Sequence, residues 1–305
     1  MSDTKPEPIW KRKAKAVFRL LRPFTLLAPF ITCIAFAILG IKAHGDIANI
    51  WSYTLPVLAG AISLSLLNAA SNAQNQVFDM KEDSLGPKRT RPVVSGELSE
   101  AEAMALAVLG VSLSLFFAAF VSFTFMMLAF SIFLFTFIYS VPPMRTKRFF
   151  LVNMLTISIP RGFIGPLAAF ATVGSPFEPQ FYGICIVMFL FVTGGNVSKD
   201  YPDTNADKLS GIRSMTVVLG FRGAGIFAAA FISASFAALI GLVWFGVLRF
   251  STLYILAIIP VGIWMLVCML WKPQTRFRSD SHASWFGFYL TMLLFVIGFL
   301  TTAFV

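Results

Sequence analysis

Two short acidic stretches hold most of the groups in this chain that can do chemistry. Asn75, Asp79 and Asp83 follow one another at intervals of four, and Asn196, Asp200, Asp203 and Asp207 at intervals of four, three and four. That spacing brings side chains to one face of a helix. Asn68 and Asn72 carry the first stripe back into an apolar run. The chain has 14 acidic residues in all, so five on two such faces is a concentration that needs a reason. Grouped carboxylates repel one another, and near a helix C-terminus they also meet the negative end of the macrodipole, so the arrangement asks for a cation. Mg²⁺ takes hard oxygen ligands and accepts phosphate oxygens among them. Basic residues crowd the same regions, at Lys88, Arg89, Arg91, Arg145, Lys147 and Lys199, and suit the remaining oxygens of a phosphate group. Two such faces set opposite each other predict a site for a diphosphate held through Mg²⁺.

The elements that must position these groups are membrane helices. Of the 305 residues 57% are hydrophobic and 12% charged, with a mean hydropathy of +0.80. Apolar runs of about twenty residues, enough to cross a hydrocarbon core roughly 30 Å thick, recur from end to end. This predicts an all-α polytopic membrane protein. Its spans are expected at about Phe24–Ala43, Tyr53 to the first stripe, Glu100–Val121, Ser122–Ser140, Leu151–Val173, Phe181–Lys199, Ala224–Leu248, Thr252–Trp271 and Trp285–Val305. Nine helices follow, in one domain over 16–305 after a polar tail at 1–15. Spans two and six run in the same direction, so both acidic faces emerge at the same end of the bundle.

The net charge of +10 does not point to nucleic acid, because of where the charge lies. Lys42 and Arg249 fall on one side of the predicted topology and Arg161 within a span, while the other 21 of the 24 basic residues fall on the opposite side. The positive-inside rule makes that side cytoplasmic, with the N-terminus on it, in the cytoplasmic membrane of the cell. Lys11, Arg12, Lys13 and Lys15 are placed to meet anionic lipid headgroups. Cys33, Cys185 and Cys268 lie far apart in apolar runs and read as small core residues. Span five contains Asn153 and Arg161; a charge near mid-span costs on the order of 3 kcal/mol by insertion scales, so these two, with Asn68 and Asn72, are candidates for a polar cavity. Glu82 lies off the first stripe and reads as solvated, and His44 and His282 as loop residues.

Five features together resemble the UbiA-type intramembrane prenyltransferases. They are the first acidic motif, the Arg91-Pro92 and Ser95-Gly96 pairs after it, the loop YSVPPMRTK at 139–147, the second motif from Lys199 to Asp207, and RPFTLLAP at 22–29. The likeness extends from about Arg22 to Gly220. It implies a UbiA-like bundle around a large central cavity open to the bilayer, in which Mg²⁺ and an isoprenyl diphosphate are bound and the prenyl group passes to a lipophilic acceptor. On this resemblance Asn75, Asp79, Asp83, Asp200, Asp203 and Asp207 fall on diphosphate and metal positions. Tyr139 and Lys147 fall on the loop linked to diphosphate activation and cation stabilisation, and Arg22 near the phosphates. Many members carry Asp where this chain has Gln76; homogentisate-type members tend to carry Gln.

The chemistry expected is Mg²⁺-dependent transfer of a prenyl group to a lipophilic, aromatic acceptor such as a quinone or tocopherol precursor. Transfer to an oxygen acceptor, of the geranylgeranylglyceryl phosphate or chlorophyllide kind, is the alternative within enzymes. A divalent-cation transporter is the alternative of another class, since intramembrane acids also mark ion paths. The gathering of acids at inner helix ends beside basic loops favours the transferase.

Overall fold

The protein was analysed as a computed structural model, which describes residues 7–278 and 281–305. The chain begins with α1 (Ile9–Leu21), an amphipathic helix whose Ala16 and Leu20 are buried while Ile9, Trp10 and Phe18 are exposed. Helical structure therefore starts seven residues before the expected domain start at Ala16, inside the predicted polar tail, the first six residues of which lie outside the described residues. Arg22 then adopts a left-handed conformation, φ 55°, and Pro23 opens α2 (Pro23–Ala43) at the first-turn position where a missing N–H does no harm.

The rest of the bundle is α3 (Thr54–Phe78), the short α4 (Met80–Leu85), α5 (Glu100–Ala119), α6 (Phe123–Ser140), α7 (Val152–Ser158), α8 (Gly165–Phe170), α9 (Pro179–Gly195), α10 (Asp200–Leu209), α11 (Met215–Trp244), α12 (Ile259–Leu270) and α13 (Ala283–Thr302). Two residue pairs before α13, β1 (Phe277–Arg278) and β2 (Ser281–His282), form a minimal antiparallel ladder. Among the described residues eight helical stretches are long and apolar enough to cross a membrane. The fifth predicted span is broken: α7 and α8 are joined by a π-helical turn, Ile159–Ile164. Pro160 supplies no N–H, and its carbonyl accepts from Gly165 N, five residues on. Counted as one crossing, α7 to α8 completes the nine. Span seven starts earlier than expected, at Met215, and accommodates Gly220 at φ 68°.

Local signals set several helix starts. Ser99 Oγ accepts from Glu102 N at 3.2 Å while Glu102 Oε2 accepts from Ser99 N at 2.8 Å, a reciprocal cap on α5. Ser122 caps α6 through Phe125 N at 3.1 Å. The main core gathers buried Phe36, Phe125, Phe170, Phe181, Phe191, Phe288 and Phe295, with Phe170 stacked on Phe181 at 4.0 Å. Lipid tails are as apolar as these side chains, so close backbone approach rather than burial drives the helices together. Gly162 shows this: a Cβ there would lie 2.6 Å from the Cα of Phe189 on α9.

Gly162→Ala should push the π turn away from α9 and cost about 1–3 kcal/mol. Thermal unfolding of the purified protein in detergent should show a lower midpoint, whereas Gly241→Ala, where a Cβ meets nothing within 4 Å, should not shift it.

Candidate active site

The polar stripe of α3 serves two purposes along its length. Asn68 Nδ2 donates to Thr25 O at 2.9 Å, and Asn72 Nδ2 donates to Leu21 O and Thr25 Oγ1, both at 3.0 Å. Gln76 Nε2 donates to Leu20 O at 3.3 Å. Asn72 and Gln76 satisfy carbonyls left without intrahelical partners where α1 stops, and Asn68 takes that of Thr25, whose partner four residues on would be Pro29; together they fix the break at which Arg22 turns toward a cavity. Asn68, Asn72, Asn75, Gln76 and Arg22 all line that cavity, whose volume is about 630 Å³, ample for a lipophilic ligand.

α3 ends at Asp79 (φ −103°, ψ 8°) and restarts as α4. The break turns Glu82 and Asp83 inward together, both buried. Glu82 is thus not solvated as its place in the sequence suggested; its Oε1 accepts from Arg145 Nη2 at 2.9 Å. Arg145 Nη2 also donates to Phe78 O at 2.6 Å, closing the end of α3, and lies 3.7 Å from Asp79. Arg145 is therefore engaged as a clamp behind the acidic turn and is absent from the cavity wall, and Arg89, exposed, is absent from it too.

The other predicted residues do converge. Lys147 Nζ donates to Asp79, and Lys88 Nζ donates to Asp203 across the two motifs. Arg91 Nη1 donates to Asp83 at 2.6 Å. Burial pushes the Asp83 carboxyl above the usual range, although Arg91 and Lys88 pull the other way. Lys199 Nζ donates to Tyr139 Oη at 3.0 Å and Asn153 Oδ1 at 3.2 Å, and lies 3.6 Å from Asp200. Asp200 Oδ2 also accepts from Met215 N at 3.0 Å, so it orients the start of α11 as well. Asn75 accepts from Ser140 Oγ. Asp207 and Arg161 complete the predicted lining. Asn196 does not: the 3₁₀ turn Asn196–Lys199 swings it toward Ser158, 3.4 Å away.

The wall thus carries Asp79, Glu82, Asp83, Asp200, Asp203 and Asp207 against Arg22, Lys88, Arg91, Lys147, Arg161 and Lys199. Among the described residues no three acidic, histidine or cysteine side chains converge as a preformed metal cluster; the carboxylates face bases instead. The remainder of the wall, from α12 and α13, escaped sequence reading: Trp264, Trp285, Phe286, Phe288, Tyr289 and Met292. His282 was missed too. It is buried, stacked at 4.8 Å on Tyr201, and Nε2 donates to Pro273 O at 3.0 Å while Nδ1 accepts from Ser284 N at 3.3 Å. Its one sequence signal is a Ser two residues on, the pattern of a helix cap.

The sequence model described as the UbiA prenyltransferase family matches residues 29–295. The chain belongs to this family. A UbiA homolog from Archaeoglobus fulgidus, solved bound to GPP and Mg²⁺, superposes with a TM-score of 0.68 at 19% identity, covering 95% of this chain and 100% of that one. The probable homogentisate phytyltransferase 2, chloroplastic, of Oryza sativa subsp. japonica is 26% identical over 283 residues, 89% of this chain and 73% of its own length. The protoheme IX farnesyltransferase of Bacillus pumilus is 28% identical over 167 residues, 54% of this chain and 53% of that protein. The UbiA prenyltransferase is a multi-pass membrane protein, and its ionisable groups gather in one cavity wall rather than along a path through the bundle, which leaves the transporter reading without support.

In this UbiA prenyltransferase, Arg145→Ala leaves Glu82 as a lone buried carboxylate, for which roughly 3–5 kcal/mol of lost stability is expected. Glu82→Ala alone should also destabilise, and the double substitution should cost less than the sum of the two. Thermal unfolding of the three variants in detergent measures the coupling.

Proposed function

We propose that this UbiA prenyltransferase transfers a prenyl group from an isoprenyl diphosphate to a lipophilic aromatic acceptor, with Mg²⁺ and the two acidic motifs holding the diphosphate. The observation that carries the reading is the pairing of carboxylates in both motifs with a basic side chain: Lys147 on Asp79, Arg91 on Asp83, Lys88 on Asp203 and Lys199 beside Asp200. Such pairs can exchange partners, the bases passing to phosphate oxygens as the carboxylates turn to a metal ion.

The donor set fits Mg²⁺. It is all oxygen, from Asp79, Asp83, Asp203 and Asp207 with Asn75 beside them. Mg²⁺ needs only one or two protein carboxylates when phosphate oxygens complete its sphere. When bound, it would neutralise charge on the departing diphosphate. Lys88, Arg91, Lys147 and Lys199 hold that leaving group in place through charge-assisted hydrogen bonds. Breaking the allylic C–O bond leaves the electron pair on the diphosphate and a carbocation on the prenyl carbon. Tyr139, whose ring already lies 5.3 Å from Lys199 Nζ, can present its π face to that cation. The apolar remainder of the cavity keeps water away, and an electron-rich ring carbon of the acceptor attacks.

The relatives are named for homogentisate and protoheme acceptors, which favours an aromatic or macrocyclic acceptor over a glycerol phosphate. The distribution of basic residues supports a cytoplasmic N-terminus in the cytoplasmic membrane.

Membranes containing the protein should release diphosphate from geranylgeranyl or farnesyl diphosphate only when Mg²⁺ and an aromatic acceptor are both present, and EDTA should stop the release. Asp79→Ala and Asp203→Ala should each reduce turnover by at least about a hundredfold with the protein still inserted. Activity close to wild type in both would remove the metal and diphosphate assignment.

A further inference from the structure

α1 presents three faces, and only one of them is buried against the rest of the chain. On that face Ala16 and Leu20 pack with Val93, Leu98, Ala103 and Ala107, and Lys13 beside them donates to Glu102. Trp10, Ala14 and Phe18 follow at intervals of four on a second face, Trp10 67% and Phe18 65% exposed. Lys11, Lys15 and Arg19 repeat the spacing one residue later, roughly 100° further round the helix. These three bases are exposed, as is Arg12 beyond them. In all, the helix holds five basic residues and no acid.

Two buried residues in thirteen hold such a helix weakly, and a helix of this length is marginal in water by itself. The other two faces specify what further support it takes. An apolar stripe beside a basic one lies in the plane of a membrane interface, apolar side chains toward the acyl chains and bases among the headgroups. Trp10, with Lys11 Nζ 5.4 Å over its ring, suits that depth. Lys15 pairs with Glu7 at 2.6 Å, an exposed pair of a kind that contributes little and exchanges readily for a lipid phosphate. A soluble acidic partner would meet the bases and leave Trp10 and Phe18 in water, whereas an anionic bilayer surface accounts for both stripes. The buried face links this surface to the active site. Val93 and Leu98, packed on Ala16 and Leu20, belong to the loop that also carries Lys88 and Arg91. Arg19 donates to Glu97 and, at 3.5 Å, to Thr90 O in the same loop. The loop folds back on itself through Ser95 N to Arg91 O at 2.8 Å and Leu98 N to Pro92 O at 3.1 Å, so α1 supports it as one piece.

We propose that α1 is an interfacial helix that binds the anionic headgroups of the leaflet at its end of the bundle and, seated there, holds the loop at 86–99 in place. Lys11, Arg12 and Lys15 meet the lipid phosphates, Trp10, Ala14 and Phe18 enter the acyl boundary, and Arg19 stays on the loop. Lipid charge then sets how firmly Lys88 and Arg91 are presented to Asp203 and Asp83. Lys13, although it belongs to the same basic run of sequence, takes no part, because Glu102 already holds it on the protein side.

The test puts one label on the apolar stripe. Cys33, Cys185 and Cys268 are buried, so Ala14→Cys in the full-length protein can carry an environment-sensitive fluorophore selectively, in nanodiscs of phosphatidylcholine alone or with phosphatidylglycerol. Each base near an anionic surface strengthens the attraction about fivefold, so acrylamide should quench the label several-fold less in the anionic nanodiscs. That difference should vanish in about 0.5 M salt and in the variant that adds Lys11→Gln, Arg12→Gln and Lys15→Gln. Hydrogen exchange of peptides covering 86–99 should slow in the anionic nanodiscs for the protein with its bases intact and not for the triple substitution. A label quenched equally in both lipids, as expected for a stripe that meets only water or a soluble acidic partner, overturns the seat. Equal shielding in both lipids that survives the triple substitution shows apolar contact without any role for charge and overturns it too. Shielding that follows lipid charge with no change of exchange over 86–99 overturns the coupling to the loop.

Discussion

Mutual neutralisation of charges at the end of an apolar cavity is the constraint on which this structure depends. Carboxylates at the α3–α4 break, on α4 and on α10 cannot be brought together inside a membrane bundle unless something positive stands between them. The loop after α4 supplies Lys88 and Arg91, and the loop after α6 supplies Lys147. Because Lys88 reaches Asp203 while Arg91 holds Asp83, the first of these loops ties the two halves of the site to each other. Buried ion pairs add little net stability once desolvation is counted, so the helices must be held by other means, and the close crossings at Gly162, against the backbone of Phe189, and at Gly194, against that of Ala228, provide them.

The cavity is made where helices fail to be regular. Arg22 at the α1–α2 break, Asp79 at the α3–α4 break, the π turn at 159–164 and the 3₁₀ turn at 196–199 all border it. Non-helical backbone at membrane depth is tolerated where it lines a polar space or is held by side chains, and here both conditions hold. Asn72 and Gln76 take up the carbonyls released at the end of α1, and Arg145 takes up that of Phe78. Each irregularity both opens room and re-aims a charged or polar side chain.

These irregularities also decide what could be read from the sequence. The apolar helical spans, the burial of the three cysteines and the presence of Asp79, Asp83, Asp203 and Asp207 on one cavity wall follow from hydropathy and helical spacing, because those signals survive small changes of backbone phase. Glu82 did not follow: extending the helical wheel of α3 past Phe78 sends it to solvent, whereas the break at Asp79 brings it in. The same reasoning misplaces Asn196, one 3₁₀ turn out of phase with Asp200. Arg145 looked like any other base in a basic loop, and only the position of Phe78 O shows that it closes a helix. His282 and the aromatic wall of α12 and α13 carry no motif, since an aromatic residue facing a cavity and one facing lipid are the same letter.

That difference in legibility matches a division of labour in the cavity. Binding a diphosphate demands charge at defined spacing, and such charge is rare enough in an apolar chain to stand out as a pattern. The apolar part of the wall offers shape instead, from Trp285, Tyr289 and Phe288, whose ring centroids lie 4.8–6.0 Å apart. Shape is spread over many common residues, so relatives that share the charged end are free to differ in the ring they prenylate. Arg161 is the exception in that legibility, a charge that the sequence shows plainly but on a turn whose packed helices carry no acid, because a charge in an apolar run stands out whether or not the backbone around it is regular.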